Sequence, residues 1–392
     1  MGPTTEKQRY VVLDALRGLA LLGIALANFP EFGLWTFLSA ETQASMPTAV
    51  VDRVVRFFHY WLVDGKFYTI FSILFGIGFS ITLSRRGVRL FMRRMLILLL
   101  IGLVHLLFIW NGDILLLYAA GGMLLPLFVR CRDRVLLTLA VFLILLPVAL
   151  DAWAQWRGID MAAPLYHAWW RQAASSGITE ANFATWLRDA DSYAVMFEFL
   201  KQGAIERMWE FASGHRLPKV VGLFFMGYLI GRNQLYARLD QLRPQIRTAF
   251  VWILAAGLPL SFVYAWSCAG GQPWGAAVHS LLYAVSVVPL GIAYMLGVCL
   301  LLRPFEPLRH AGRMALSCYI GQSLAGIVLF YGVGFGWGTS LGLVHIEIVA
   351  VAVFVVELLL CRLWLHYFKF GPLEWIWRML TYGMWLSLRK DK

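Results

Sequence analysis

The chain is 392 residues long, 60% hydrophobic, 15% aromatic and only 14% charged, with a mean hydropathy of +0.69; a water-soluble domain of this length has no use for so much apolar surface, so the bilayer is its solvent. A net charge of +12 would suit a nucleic-acid binder, but the basic residues stand in short clusters between apolar runs rather than on one polar face, which excludes nucleic acid as a partner and makes the clusters topology signals. Five scattered cysteines without a CxxC pair exclude a disulfide framework and predict free thiols.

A hydrocarbon core about 30 Å thick takes about 20 apolar helical residues per crossing, with every backbone polar group satisfied inside the helix. The sequence therefore predicts an all-α polytopic bundle of about ten transmembrane helices, near 10–30, 66–84, 92–110, 114–130, 135–151, 218–231, 248–268, 276–302, 313–333 and 343–367. The first apolar stretch, Val11 to Phe29, carries Asp14 and Arg17, and no small-residue cleavage pattern follows it; it is expected to stay as helix one rather than leave as a signal peptide.

Basic content alternates between the turns. Lys7 and Arg9 precede the first span; Arg85, Arg86, Arg89, Arg93 and Arg94 form one cluster, Arg130, Arg132 and Arg134 the next, then Arg232 to Arg247, then Arg303, Arg309 and Arg313, and finally the tail from Lys369 to Lys392. The intervening turns at Asn111–Asp113, Gly270 and Gly334–Gly342 carry no basic residue. The positive-inside rule then predicts cytoplasmic termini at both ends. Four regions follow: 1–151, five helices with the candidate site; 152–217, an extracytoplasmic amphipathic insertion; 218–368, five more helices; and 369–392, an interfacial helix and tail on the cytoplasmic leaflet. The insertion contains six tryptophans, which suggest helices lying at the membrane interface, as a structural cap or a substrate lid. In the tail, Pro372 suits a first helical turn and Glu374 and Arg378 form an i,i+4 pair.

An ionisable side chain within a span costs a few kcal/mol, so each one is a functional candidate, with packing or pairing as the alternative. Asp14 and Arg17 share a face of helix one and can neutralise each other, or Arg17 can contact a phosphate or carboxylate. Towards the outer face lie Asp64 and Lys66, then His105 inside an apolar run, then Asn111 and Asp113 in the following turn. An imidazole is the side chain best suited to take a proton near neutral pH, and Asp113 or Asp64 would orient it; a packed, hydrogen-bonded histidine is the competing reading, and Asp113 also suits the N-cap of the next helix. His59 precedes the second span in an aromatic segment and is either interfacial or part of the same cavity. Arg313 and Gln322 flank a stretch whose Ser317 and Gly321 suit close helix packing, or they contribute to a cofactor channel. There is no HExxH, His pair, Cys/His cluster, GxSxG or P-loop, so no metal is expected.

Five segments resemble the YeiB-like family, known as domain of unknown function 418: Arg9–Gly18 (RYVVLDALRG), Gly65–Gly78 (GKFYTIFSILFGIG), Gly102–Leu115 (GLVHLLFIWNGDIL), Gly312–Gln322 (GRMALSCYIGQ) and Gly371–Thr381 (GPLEWIWRMLT). The Asp14-x-x-Arg17-Gly18 element is also similar to the first-helix motif of heparan-alpha-glucosaminide acetyltransferases and other transmembrane acyltransferases, mainly over helices one to four. That resemblance implies a bacterial inner membrane protein that moves an acyl group from cytoplasmic acyl-CoA (acetyl-CoA), its donor substrate, to a hydroxyl or amine of an unidentified extracytoplasmic acceptor, with membrane lipid as its other partner and self-association left open. The implied catalytic residues are His105, as base or acyl carrier, and Asp113, with Asp64, Lys66, Asn111 and His59 supporting; His59 stands near, but out of register with, the histidine of the heparan enzymes. Coenzyme A would be bound by Arg9, Asp14, Arg17, Arg85, Arg86, Arg313 and Gln322. The rival classes are a transporter or flippase, favoured by glycine-rich spans and the uncharged run Tyr331–Gly342, and a membrane scaffold without chemistry.

Overall fold

The computed structural model describes residues 10–390, and Arg9 and the side chain of Arg85 lie outside what it describes. The described residues form helices and connecting turns, with one isolated bridge between Phe368 and Arg389. Among them, seven helical stretches are long and apolar enough to cross a membrane. These are α1 (Val11–Phe32), Ala49–Ser84, Arg86–Phe108, α5 (Asp133–Arg157), α10 (Arg243–Ala269), α11 (Gly275–Leu300) and α14 (Leu343–Tyr367). The second stretch includes α2 (Ala49–Leu62). After the left-handed Gly65, α3 (Lys66–Phe108) begins, and it is broken in two at Gly87, whose φ of 78° most side chains avoid. Three predicted spans take other forms: α4 (Leu115–Leu124) ends in a short 3-10 turn, α9 (Arg216–Arg232) has 17 residues, and Leu302–Arg313 meets α13 (Ala315–Phe330) at a 79° bend. The outward surfaces of the spans are apolar, with Leu100, Val104, Leu359 and Trp252 all exposed, as lipid requires and water would not. The protein is a multi-pass, all-α membrane protein.

α1 runs through the middle of the bundle, packed by α3, α13, α14 and the short α12 (Arg309–Arg313). Its closest crossing needs glycine on both sides: a Cβ on Gly312 would lie 1.8 Å from the Asp14 carbonyl oxygen, and one on Gly18 would lie 2.1 Å from that of Leu308. Ser317, read with Gly321 as a small-residue face for close helix packing, makes polar contacts. Ser317 binds the tail helix α15 (Pro372–Tyr382), donating its hydroxyl to Glu374 Oε2 at 2.6 Å, while Glu374 Oε1 accepts the amides of Leu316 and Ser317 at 2.6 and 3.1 Å. Glu374 thus caps the first turn of α13, and α15 is fastened to the bundle rather than only laid against it.

The insertion folds as α6 (Ala163–Ser175), α7 (Phe183–Asp189) and α8 (Tyr193–Ser213). Trp156, at 78% exposure, faces outward, but Trp169 is 7% exposed and stacks on Trp170 and Trp209. These three tryptophans build a core shared with Phe32 and Trp110 over the ends of α1 and α3. The Tyr331–Gly342 run folds over this same end, Gly332 donating to Leu187 O at 2.9 Å and Thr339 to Gly33 O at 3.0 Å.

Candidate active site

His105 sits in the last turn of α3, and the turn that follows carries Asp113 back beneath it. Nδ1 of His105 lies 2.8 Å from Asp113 Oδ2, and its Nε2 lies 3.0 Å from Ser323 Oγ on α13. The other Asp113 oxygen, Oδ1, accepts the Leu116 amide at 2.8 Å, so this carboxylate orients the histidine with one oxygen and caps α4 with the other. A carboxylate accepts only, which assigns the proton to Nδ1 and leaves the Nε2 lone pair for the Ser323 hydroxyl. All three side chains are sealed from solvent, with relative exposures of 0, 0 and 1%.

The turn is held from the insertion. Arg207 of α8 donates through Nε to Asp113 O and through Nη2 to Gly112 O, both at 2.7 Å, and its Nη1 pairs with Glu210. Burial works against this charge, but Glu210 and Glu31 push the Arg207 pKa above even the usual arginine value. The Tyr319 hydroxyl donates to Gly112 O at 3.3 Å and accepts the Ile114 amide at 3.2 Å, with its ring 5.2 Å from the imidazole. Asn111 Nδ2 donates to Glu206 Oε2 at 3.1 Å.

Burial, reinforced by Glu210 and Glu31, raises the Glu206 carboxyl well above the ordinary carboxylate range. A folded-state pKa above the unfolded one means the folded protein keeps a proton that the unfolded chain gives up. The stability from this group is therefore full in acid and is lost as pH rises from the unfolded value through the raised one. E206Q, which imitates the protonated acid, is expected to keep the Asn111 contact and flatten the fall in melting temperature at rising pH; an unchanged fall would contradict this account.

A cavity of about 290 Å³ opens at the basic end of the bundle. Arg17, Arg86, Arg94, Arg313 and Arg378 line its mouth, and its apolar depth is closed by Tyr118 and Tyr319. Asp14 is 2.6 Å from Arg17 and lines the same wall. The tail helix α15 is part of this wall: Trp377 donates to Arg94 O at 3.0 Å beneath the Arg94 guanidinium, and Arg86 lies over the Tyr382 ring. A second basic pocket, bordered by Arg309, Arg362, His366 and Lys390, shares Asp14 and Arg313 with the first.

The sequence-predicted residues therefore divide. His105 and Asp113 meet, and Asn111 stands in the clamp above them. Asp64, Lys66 and His59 bond elsewhere: Asp64 accepts the Tyr264 hydroxyl at 2.5 Å, Lys66 donates to Tyr60 O at 2.6 Å, and His59 lies 2.7 Å from Glu347. Asp14, Arg17, Arg86 and Arg313 gather at the cavity, whereas Gln322 turns away from it to Glu357 at 2.9 Å. Sequence reasoning missed Ser323, which is 218 residues from its histidine partner, as well as Tyr319, Arg94, Arg378 and Arg207. The signal for Ser323 was its place one turn beyond Tyr319, immediately after the segment Gly312–Gln322 already singled out; Arg207 was concealed among the mixed charges of the insertion.

A family profile described as "Protein of unknown function (DUF418)" matches residues 230–384. The chain is 29% identical to "Uncharacterized protein YeiB" of Escherichia coli (strain K12), covering 95% of this chain and 96% of that one. It is 27% identical to "Uncharacterized protein YxaH" of Bacillus subtilis (strain 168), over 100% and 98% of the two chains. It is 29% identical to an "Uncharacterized 39.9 kDa protein in amylase 3'region" of Bacillus acidopullulyticus, over 98% and 96%. No solved structure matches significantly. The resemblance read from the five segments holds: the chain matches the DUF418 profile over 230–384 and is similar to the YeiB-like proteins along nearly its whole length.

Proposed function

We propose that this protein is a membrane-embedded acyltransferase that takes an acyl group, such as acetyl, from acyl-CoA and delivers it to a hydroxyl or amine of a carbohydrate or lipid acceptor at the opposite face. The observation that carries the reading is an adjacency: a cavity lined by five arginines and by apolar side chains has Tyr319 in its wall, and the Tyr319 ring lies 5.2 Å from the buried imidazole of His105. Coenzyme A has the complementary shape, with phosphates at one end and a slender, largely uncharged arm carrying the thioester at the other. Guanidinium groups suit the phosphates, and the neighbouring basic pocket extends the surface available to them.

In this reading the basic end faces the cytoplasm of a bacterium, which places both termini there and the insertion outside the inner membrane. His105 Nε2 removes the proton that must leave the attacking group, and Asp113 fixes the tautomer and steadies the imidazolium that forms. Arg207, Tyr319 and the cap at Leu116 hold the turn so that this geometry survives in a bundle that has to admit a long ligand.

The test uses purified protein in lipid nanodiscs with radiolabelled acetyl-CoA. Saturable binding, displaced by free CoA and weakened about 10²- to 10⁴-fold in an R17A/R313A double variant, is expected from the loss of two charge-assisted hydrogen bonds worth about 1.5–3 kcal/mol each. Absence of saturable binding, or flux of a substrate across proteoliposomes without covalent change, would overturn the proposal.

A further inference from the structure

We propose that Ser323 is the covalent relay of this site: its hydroxyl, activated by His105 and Asp113, accepts the acyl group from the thioester and then passes it to the acceptor. This rests on the acyl-CoA reading above and goes beyond it by naming the nucleophile. Three groups stand in the order a serine nucleophile needs. The Asp113 carboxylate is 2.8 Å from Nδ1, and Nε2 on the far side of the ring is 3.0 Å from Ser323 Oγ.

The bland account of a serine inside a membrane helix is that its hydroxyl returns to the carbonyl one turn back, and Ser323 does face Tyr319 O at 3.3 Å. That bond would satisfy the serine without help. It leaves unexplained why a carboxylate, an imidazole and a hydroxyl, each costly in a bilayer, are all brought together out of solvent and joined in this sequence. The hydroxyl has one proton and two acceptors, and the nearer one is the imidazole nitrogen.

The cavity supplies the approach. Its deep wall includes Tyr319, which precedes Ser323 by one helical turn on α13, so a thioester carried past the arginines ends one turn from the serine. The burial of Ser323, His105 and Asp113 keeps bulk water from hydrolysing an ester held there. A relay also fits a site buried between two faces: CoA leaves towards the arginines before the acceptor is engaged from the other end, so the two never have to occupy the buried site together.

The chemistry balances without any further reactant. In the first half, Ser323 Oγ attacks the thioester carbonyl as its proton passes to His105 Nε2; the C–S bond breaks, the sulfur takes that proton, and CoA departs as the free thiol from an acyl ester on Oγ. In the second half, His105 Nε2 takes a proton from the acceptor hydroxyl or amine, whose heteroatom attacks the ester carbonyl. The bond from the carbonyl carbon to Oγ breaks, and the proton returns to Ser323.

The experiment incubates the protein in nanodiscs with acetyl-CoA and no acceptor, then measures released CoA thiol and maps the acetylated peptide by mass spectrometry after an acid quench. About one CoA released per protein and an acetyl group on Ser323 are expected, both absent in H105A. S323A is expected to bind labelled acetyl-CoA like the unaltered protein, carry no acetyl group and lose transfer about 10³-fold or more, while S323C, nearly the same size, is expected to trap a thioester at that position. An acetyl group on His105 instead, or an S323A protein that transfers at the full rate, would overturn the relay while leaving the acyl-CoA reading in place. Failure of the unaltered protein to bind acetyl-CoA would overturn both.

Discussion

D113N is expected to leave the protein folded and acyl-CoA-binding while cutting transfer by about 10⁴-fold, close to the loss expected for H105A. The substitution separates the two duties of one side chain. Asn caps a helix about as well as Asp, so the bond from Leu116 N to the position of Oδ1 survives and α4 keeps its start. The other arm changes character, because an amide NH₂ facing Nδ1 donates where a carboxylate accepted. The imidazole then places its proton on Nε2, and the lone pair that should take a proton is gone. Thermal melting, labelled acetyl-CoA binding and transfer rate measured on the same preparation check this. A D113N protein with full transfer would show that Asp113 serves only as a cap.

The largest loss of stability is expected from G312V. Even a single Cβ at Gly312 would stand 1.8 Å from the Asp14 carbonyl oxygen, and the obstacle is backbone, which cannot swing away as a side chain does. α12 and α1 would have to separate, opening a crossing that also shapes the cavity wall at Asp14, Arg17 and Arg313. Overpacking of this kind costs about 1–3 kcal/mol and more where a helix crossing is forced apart. Poor yield of monodisperse protein, or a melting temperature lower by about 10 °C in detergent, is the expected reading. Gly78 provides the control: an added methyl there meets nothing within 4 Å, so G78A is expected to hold or slightly raise the melting temperature. Equal behaviour of the two variants would contradict the packing described for α1.

Both outcomes bear on what the sequence could and could not convey. Apolar runs of span length marked most of the helices, because lipid imposes one dominant rule on segment composition. The break at Gly87 falls in the basic turn read between the spans 66–84 and 92–110, but the same rule is silent on helix angles, so the 79° bend before α13 had no counterpart in hydropathy. His105 and Asp113 were legible because only a turn separates them, and a histidine in an apolar run is conspicuous. Asp64 and Lys66 were grouped with them for lying at the same end of the bundle; depth in the membrane can be read from position along a span, but direction around the bundle axis cannot. They face Tyr264 and Tyr60 instead. The clustering of Arg17, Arg86 and Arg313 followed from charge alternation, yet the part of α15 in closing their cavity did not, since Glu374 was read as an i,i+4 partner of Arg378 rather than a cap on α13. The aromatic core that Trp169, Trp170 and Trp209 form was not legible for a related reason: indole is equally at home at an interface and in a small aromatic core.

The most direct test of the central claim is a cryo-electron microscopy map of the protein in nanodiscs with a non-hydrolysable thioether analogue of acetyl-CoA. The account expects density for the phosphates between Arg17, Arg86 and Arg313, with the arm running past Tyr118 and the acyl end next to Tyr319, His105 and Ser323. Density for the analogue at another place, or an arginine-lined cavity holding only membrane lipid at saturating analogue, would contradict it.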